Sequence, residues 1–340
     1  MPDPVLLTGV TGFLGGHTAK ALLDKGYHVR GSLRNPARAE ATAAAIARLG
    51  GDVSRLEFVT LDLLSDTGWD AAAQGARYVL HTASPFVTTM PKDPAELTRP
   101  AVEGTERALR AAHRAGAERV VLTSSSTTIV NGRGAGRPDR LGPDDWADPA
   151  GGRLNAYVLS KVLAERRAWE IARETGLGLT TVLPGFICGP LPDDDPGTSG
   201  AVLLRLLRGD IPMLPNLAMH VVDVRDLAEI HVAALSSDEM LGKRVPAAFA
   251  TLSLPEIART LAAEMPAISG KIPQRRAPDW LVRILARFDG DIRANVNELG
   301  YSPTLDATRA RHLLGHPPHT ARRTLGDMAR DLTARGLVAA

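Results

Sequence analysis

Tyr157 stands four residues before Lys161 in the stretch NAYVLSKVLAE, and helical spacing places both side chains on one face. A free phenol titrates near ~10. A neighbouring ammonium favours phenolate, so Lys161 is expected to lower the Tyr157 pKa and make it a proton donor and acceptor at neutral pH. The bland alternative is an exposed helix pair worth a few tenths of a kcal/mol. A second group weighs against that alternative. VVLTSSSTT ends an apolar run in hydroxyls, and a serine there can donate a hydrogen bond to a carbonyl oxygen as negative charge develops on it. Taken singly, each of these serines is as well suited to a turn or a cap.

These groups need a scaffold, and the N-terminal half supplies one. PVLLTG, YHVRGSL, RLEFVTLDL, ARYVLHTAS and ERVVLTSSS read as five strands, with GLTTVLPG as a sixth; helical segments alternate with them. Continuously apolar strands of this kind belong in a parallel sheet covered on both faces. The expected fold class is α/β: a Rossmann-type doubly wound parallel sheet with a small, mostly helical C-terminal substrate cap. Residues 1–190 are assigned to the nucleotide-binding domain and 191–340 mainly to the cap, with 219–236 returning to the main sheet. NGRGAGRPDRLGPDDWADPAGGR reads as a long loop, and PLPDDDPGTSG as another.

TGVTGFLG sits between the first strand and the first helix, the context that makes a glycine fingerprint informative. Gly9 would allow the tight turn, Gly12 the approach of a pyrophosphate, and Gly15 close helix–strand packing, with phosphates facing the amides of the helix N-terminus. This predicts a dinucleotide. An NAD site carries an acid at the end of the second strand; here Leu33 stands there and Arg34 follows, which favours NADP(H) over NAD(H), because a guanidinium pairs with a 2′-phosphate. Arg38 is a second candidate. Asp62 and Leu63 sit where an adenine edge could be held, although Asp62 could equally be a turn or capping residue. Lys161 could also hold the nicotinamide ribose.

TGVTGFLG, TSSS and YVLSK together resemble the extended short-chain dehydrogenase/reductase family, nearest its dihydroflavonol reductase, cinnamoyl-CoA reductase and aldehyde reductase branch. GYHVRGSLRNP is similar to that branch's NADP-binding second strand, and HTASPF to the end of its fourth. AYVLSKVLAERRAWEIARE is similar to its catalytic helix, and VLPGFICGP to the strand that closes over the nicotinamide. The resemblance covers residues 1 to about 235. It implies Ser125 as the carbonyl-binding serine, with Ser126 as the fallback, Tyr157 as the acid and Lys161 as its partner. It further implies cofactor contacts from Thr11, Phe13 and Leu14, from Thr82, Ala83, Ser84 and Thr123, and from Pro184, Gly185, Phe186 and Ile187. Substrate contacts would come from Ser84, Ser126 and Asn131. In dihydroflavonol reductases an asparagine shortly after the serine contacts substrate, and Asn131 lies one position off that place. The glycine-rich stretch beyond it departs from the plant members and argues against a flavonoid substrate.

The expected activity is reversible NADPH-dependent reduction of an aldehyde or ketone. Ser126, Thr127 and Thr128 stand where sugar-nucleotide dehydratases of this fold keep an acidic pair, and Arg34 argues against an NAD-retaining epimerase. A hydroxysteroid dehydrogenase would carry a similar polar signature. A non-catalytic NADP-sensing regulator would commonly lack the Tyr/Lys pair.

The remaining features read plainly. Hydrophobic residues are 44% and charged residues 23% of the 340, which suits a globular core. A net charge of +2 with dispersed basic residues gives no reason to expect nucleic acid or membrane as a partner. The expected partner is a small carbonyl or alcohol, and the expected state a monomer or homodimer. The single cysteine, Cys188, rules out an intrachain disulfide and fits a reducing cytoplasm; it reads as core. No signal peptide is expected from MPDPVLLTGVTG. His312, His316 and His319 in HLLGHPPH have no acid close in sequence, and no metal site is expected. Asp193, Asp194 and Asp195 read as a solvated loop, or a gate over the site.

Overall fold

A strand apolar at nearly every position has no face to give to water. In β1 (Pro4–Thr8) the result is that Val5, Leu6 and Leu7 are fully buried between two helical layers. The computed structural model describes residues 4–85, 91, 93–132, 137–148 and 154–338. From β1 the chain runs through α1 (Phe13–Asp24), β2 (His28–Leu33), α2 (Ala39–Arg48), β3 (Leu56–Thr60), α3 (Trp69–Ala73), β4 (Tyr78–His81) and α4 (Ala95–Arg114). It continues through β5 (Arg119–Thr123), α5 (Thr127–Val130), β6 (Arg140–Leu141), α6 (Ala156–Thr175), β7 (Gly178–Pro184) and β8 (Phe186–Cys188). The rest comprises α7 (Gly197–Arg208), β9 (Ala218–Asp223), α8 (Val224–Ser236), β10 (Arg244–Ala247), β11 (Ala250–Ser253), α9 (Leu254–Glu264), α10 (Asp279–Leu285), α11 (Gly290–Asn295), β12 (Thr304–Leu305), α12 (Thr308–Leu314) and α13 (Ala321–Ala334).

Seven strands form one parallel sheet in the order β10-β7-β5-β4-β1-β2-β3. The chain winds outward from β1 in both directions, so the carboxyl ends of β1 and β4 flank the switch point where such sheets bind ligands. On one face α1 packs against α8, burying Leu22, Leu23 and Ile230. On the other α4 packs against α6, burying Leu109 and Ile171. The sheet and its helices thus have the doubly wound form the apolar strands implied.

Two elements differ from the sequence expectation. Within 219–236 only the helix lies on the main sheet's helical layer; its strand, β9, pairs with β8 and β11 in a separate three-stranded sheet. The strand that does return to the main sheet is β10, beside β7. Pro246 hides it in the sequence, and the edge position explains why a proline is tolerated there. The C-terminal region is mostly helical, as expected. α7, α9 and α13 share a core with the small sheet, including Leu203, Leu206, Ile257, Leu261 and Leu325. β12 reaches back to pair with β6, which brings the C-terminal segment against the loop that follows α5.

Candidate active site

The turn after β1 is built by three glycines with three different constraints. Gly9 has φ +73°, and a Cβ on it would stand 2.8 Å from the Cα of Ala83. A Cβ on Gly15 would stand 2.1 Å from the Gly9 carbonyl oxygen, so the first turn of α1 abuts the loop directly. Gly12 is different: it is extended, at φ −85° and ψ 166°, and a Cβ there would meet only Gly9 O, at 3.4 Å. Nothing in the protein demands glycine at 12. The missing side chain leaves an open amide edge at the N-terminus of a helix, which fits a pyrophosphate. Thr11 and Phe13 border this edge half-buried, whereas the Leu14 side chain points into the core and only its backbone faces the turn. Sequence reasoning missed Ser32, whose buried hydroxyl accepts from Gly9 N at 3.3 Å.

At the end of β2, Leu33 is buried and Arg34 is exposed, with no hydrogen bond or ion pair to another residue among those described. Arg38 is also exposed and lies 3.8 Å from Asp193 across a gap to the 191–196 loop. Asp62 behaves as a turn residue on one oxygen: Oδ1 accepts from Leu64 N at 2.9 Å. Leu63 packs against α4, where a Cβ on Gly104 would stand 2.6 Å from Leu63 Cδ2.

The carboxyl edge of the sheet holds a chain of polar contacts. Thr8 Oγ1 accepts from Ala83 N and lies 2.8 Å from Nδ1 of the His81 imidazole. Thr82 donates to Thr8 O at 2.6 Å. Thr123 lies 2.8 Å from His231 Nε2; His231 Nδ1 donates to Leu227 O at 2.8 Å, so Thr123 is the donor to the ring. The hydroxyls of Thr82 and Thr123 are therefore engaged within the protein.

Beside this edge Ser125, Tyr157 and Lys161 come together. α6 starts at the Asn155 cap, whose side chain accepts from Val158 N at 2.9 Å, and it presents Tyr157 and Lys161 one turn apart. Lys161 Nζ donates to Ser84 Oγ at 2.8 Å and lies 5.8 Å from the Tyr157 ring centroid. The Ser125 hydroxyl accepts from Thr127 N at 3.2 Å and from Thr127 Oγ1 at 2.9 Å, which leaves its own proton to donate. Ser126 is buried, and its N–H donates to Pro184 O at 2.8 Å, pinning α5 to the end of β7. Burial lowers the Lys161 pKa to about 8, against the opposing pull of Glu165. The expected depression of Tyr157 is not found. Burial pushes the phenol above its ordinary 10, with a hydrogen bond to Ser125 pulling the other way, while Lys161 directs its proton to Ser84.

The remaining candidates are spread over the fold. Gly185 is where the two sheets meet: a Cβ there would stand 1.8 Å from His220 O. Half-buried Phe186 and Ile187 follow in β8, paired with Val221 and Val222. Asn131 hydrogen-bonds Glu298 of the C-terminal region, whose carboxyl burial pushes upward. Asn155 also crosses to this region, donating to Ala294 O at 3.2 Å. Residues 133–136 and 149–153 of the long loop lie outside those described. The histidines of HLLGHPPH do have acidic neighbours, which α8 and the turn after it supply: His319 lies 2.6 Å from Asp226, His316 3.0 Å from Glu229 and His312 3.1 Å from Glu239. Asp194 is exposed and accepts from Arg335 at 2.7 Å. Cys188 is fully buried, which pushes its thiol well above the ordinary range.

Sequence reasoning missed a buried pair behind the site. Glu165, one turn beyond Lys161, is in contact with Arg244 of β10 at 2.7 Å, and Arg244 stacks 3.7 Å from the ring centroid of Trp146. The spacing Tyr157, Lys161, Glu165 was the available signal.

The model of the NAD dependent epimerase/dehydratase family matches residues 5–245. Tetraketide alpha-pyrone reductase 1 of Arabidopsis thaliana is 34% identical over 275 residues, covering 80% of this chain and 83% of that protein. Cinnamoyl-CoA reductase CAD2 of Medicago truncatula is 32% identical over 243 residues, covering 70% and 74%. Among solved structures, yeast methylglyoxal/isovaleraldehyde reductase Gre2 complexed with NADPH superposes with a TM-score of 0.79 at 25% identity, covering 98% of this chain and 100% of that one. The chain belongs to the NAD-dependent epimerase/dehydratase family, within the extended short-chain dehydrogenases/reductases, and is an NAD(P)-dependent oxidoreductase acting on carbonyl groups.

Proposed function

We propose that the protein is an NADPH-dependent reductase of a small aldehyde or ketone, working reversibly as a monomer or homodimer. The observation that carries this reading is the meeting of Ser125, Tyr157 and Lys161 at the sheet's carboxyl edge, beside a glycine turn with an open amide edge. The nicotinamide, when bound, supplies hydride to the carbonyl carbon. Ser125 donates its hydroxyl proton to the carbonyl oxygen. Tyr157, a phenol held protonated by burial, donates to the same oxygen and gives up its proton as the alkoxide forms. Lys161 stabilises the resulting phenolate and would hold the ribose. Holding both reactants in one orientation supplies much of the rate. The reductase names of the relatives support this chemistry, and Arg34, exposed and without a partner among the described residues, supports NADP(H).

The test is NADPH consumption against aromatic aldehydes, aliphatic ketones, 1,2-dicarbonyls and steroids, repeated with NADH. Silence across the panel by a protein that binds NADPH would count against the reading. Arg34→Glu should raise the KM for NADPH by about tenfold or more, the equivalent of losing a charge-assisted contact of roughly 1.5–3 kcal/mol, and leave the KM for NADH little changed. Equal effects on both cofactors would remove Arg34 from the 2′-phosphate.

A further inference from the structure

We propose that Glu165 is a positioning residue for Ser125, Tyr157 and Lys161, tying the helix that carries two of them to the turn that carries the third, with Arg244 as its counter-charge. This rests on the carbonyl-reduction reading above. The Glu165 carboxylate has no exposed surface, and the Arg244 side chain is 7% exposed. A buried charge persists only when paired and fully hydrogen-bonded, and this one is. Oε2 accepts from Ser124 Oγ at 2.6 Å and lies 2.9 Å from Thr128 Oγ1; Oε1 accepts from Thr181 Oγ1 at 2.9 Å, Trp169 Nε1 at 3.4 Å and Arg244 Nε at 2.7 Å. Ser124 and Thr128 bracket Ser125, and Thr128 Oγ1 also lies 2.8 Å from Ser125 O. One carboxylate therefore joins α6 to the β5–α5 turn and to β7. Arg244 extends the tie to β10 and, through Nη1, to the carbonyls of Pro143 and Asp145. A loss of this tie would let α6 and the turn shift relative to each other, and misplacements of an ångström are costly in an oriented site.

The charge also matters. The titratable groups whose fields couple to Lys161 are Glu165 on its own helix and His81 at the end of β4; Tyr157 lies on the same helix face. His81 stays neutral, with its pKa lowered to about 3 by burial, so Glu165 is the group that favours the ammonium.

Glu165→Gln keeps the shape and removes the charge. First, wild-type turnover and its loss in Tyr157→Phe are established on one carbonyl substrate; failure at this step overturns the reading and the inference together. With that in hand, Glu165→Gln should lower kcat on the order of 10–100-fold. It should also move the alkaline fall in reduction rate to lower pH, because Lys161 loses the carboxylate that sustains its proton. Thr181→Val, which removes one neutral bond to the same carboxylate, should leave that midpoint in place. A purely structural role would lower the amplitude and the melting temperature without moving the midpoint, and a folded Glu165→Gln with a wild-type midpoint overturns the proposal. Should that variant fail to fold, Glu165→Gln combined with Arg244→Met removes both charges, and a displacement in the same direction, reduced by the lost field of Arg244, is required of it.

Discussion

Tyr157→Phe should reduce carbonyl substrates about 10²–10⁴-fold more slowly than the wild type, the range for losing a general acid, while binding NADPH as before. The hydroxyl makes no contact that the fold needs: its partner, Ser125, is already held by Thr127, and the ring body packs against the cluster of Ala147, Val158 and Val162 whether or not it carries oxygen. The defect should therefore appear in kcat, with the melting temperature preserved. The wild-type rate of reduction should be level below pH 8 and fall above it. Lys161 has a pKa of about 8, so its ammonium disappears there, and with it the charge that stabilises a phenolate at Tyr157. Stopped-flow NADPH oxidation across pH 6–10 would show both effects. A variant that keeps most of its activity would remove the phenol from the chemistry.

The second large effect is on stability. Four histidines are buried and neutral: His17, His220 and His231 have pKa values lowered to about 4, and His81 to about 3, all with desolvation as the leading cause. In the unfolded chain each titrates near ~6.5. As pH falls through that value the unfolded state takes up protons that the folded state refuses, so stability is full above about 6.5 and is lost progressively towards 4. Each histidine contributes roughly 3 kcal/mol to that loss by pH 4, and four together reach on the order of 10 kcal/mol, comparable to the whole stability of a domain. Equilibrium denaturation followed by circular dichroism should show stability declining from pH 6.5 and unfolding before pH 4. A flat profile down to pH 4.5 would mean that the imidazoles accept protons in place, through water or rearrangement.

What could be read from the sequence was what is local. Gly9, Gly12 and Gly15 act within one turn, and Tyr157 and Lys161 within one turn of one helix, so their spacing carried their geometry. The apolar strands carried the parallel sheet because burial on both faces leaves no alternation to obscure them. Features set by strand pairing were invisible. Glu165 finds Arg244 only because β10 lies beside β7, and β10 is masked by its proline. The acid partners of His312, His316 and His319 likewise come from α8 and the turn after it, far away in the chain. Tyr157 was misjudged for a related reason: spacing places an ammonium nearby but does not say that Ser84 receives its proton or that the phenol is desolvated.

Asn155 uses its two ends for different purposes. Its oxygen caps the helix that begins one residue before Tyr157, and its nitrogen holds the carbonyl of Ala294 at the far end of the chain. The helix entry and the C-terminal segment are thus linked through one amide, and fraying of the one is expected to accompany release of the other. Hydrogen exchange at Val158 N–H should then quicken in Glu298→Ala, which loosens that segment where it meets Asn131 and Gly132. An unchanged rate would uncouple the two. If they are coupled, whatever settles the C-terminal segment, a substrate included, also raises the fraction of molecules in which the first turn of the helix, and Tyr157 with it, is ordered.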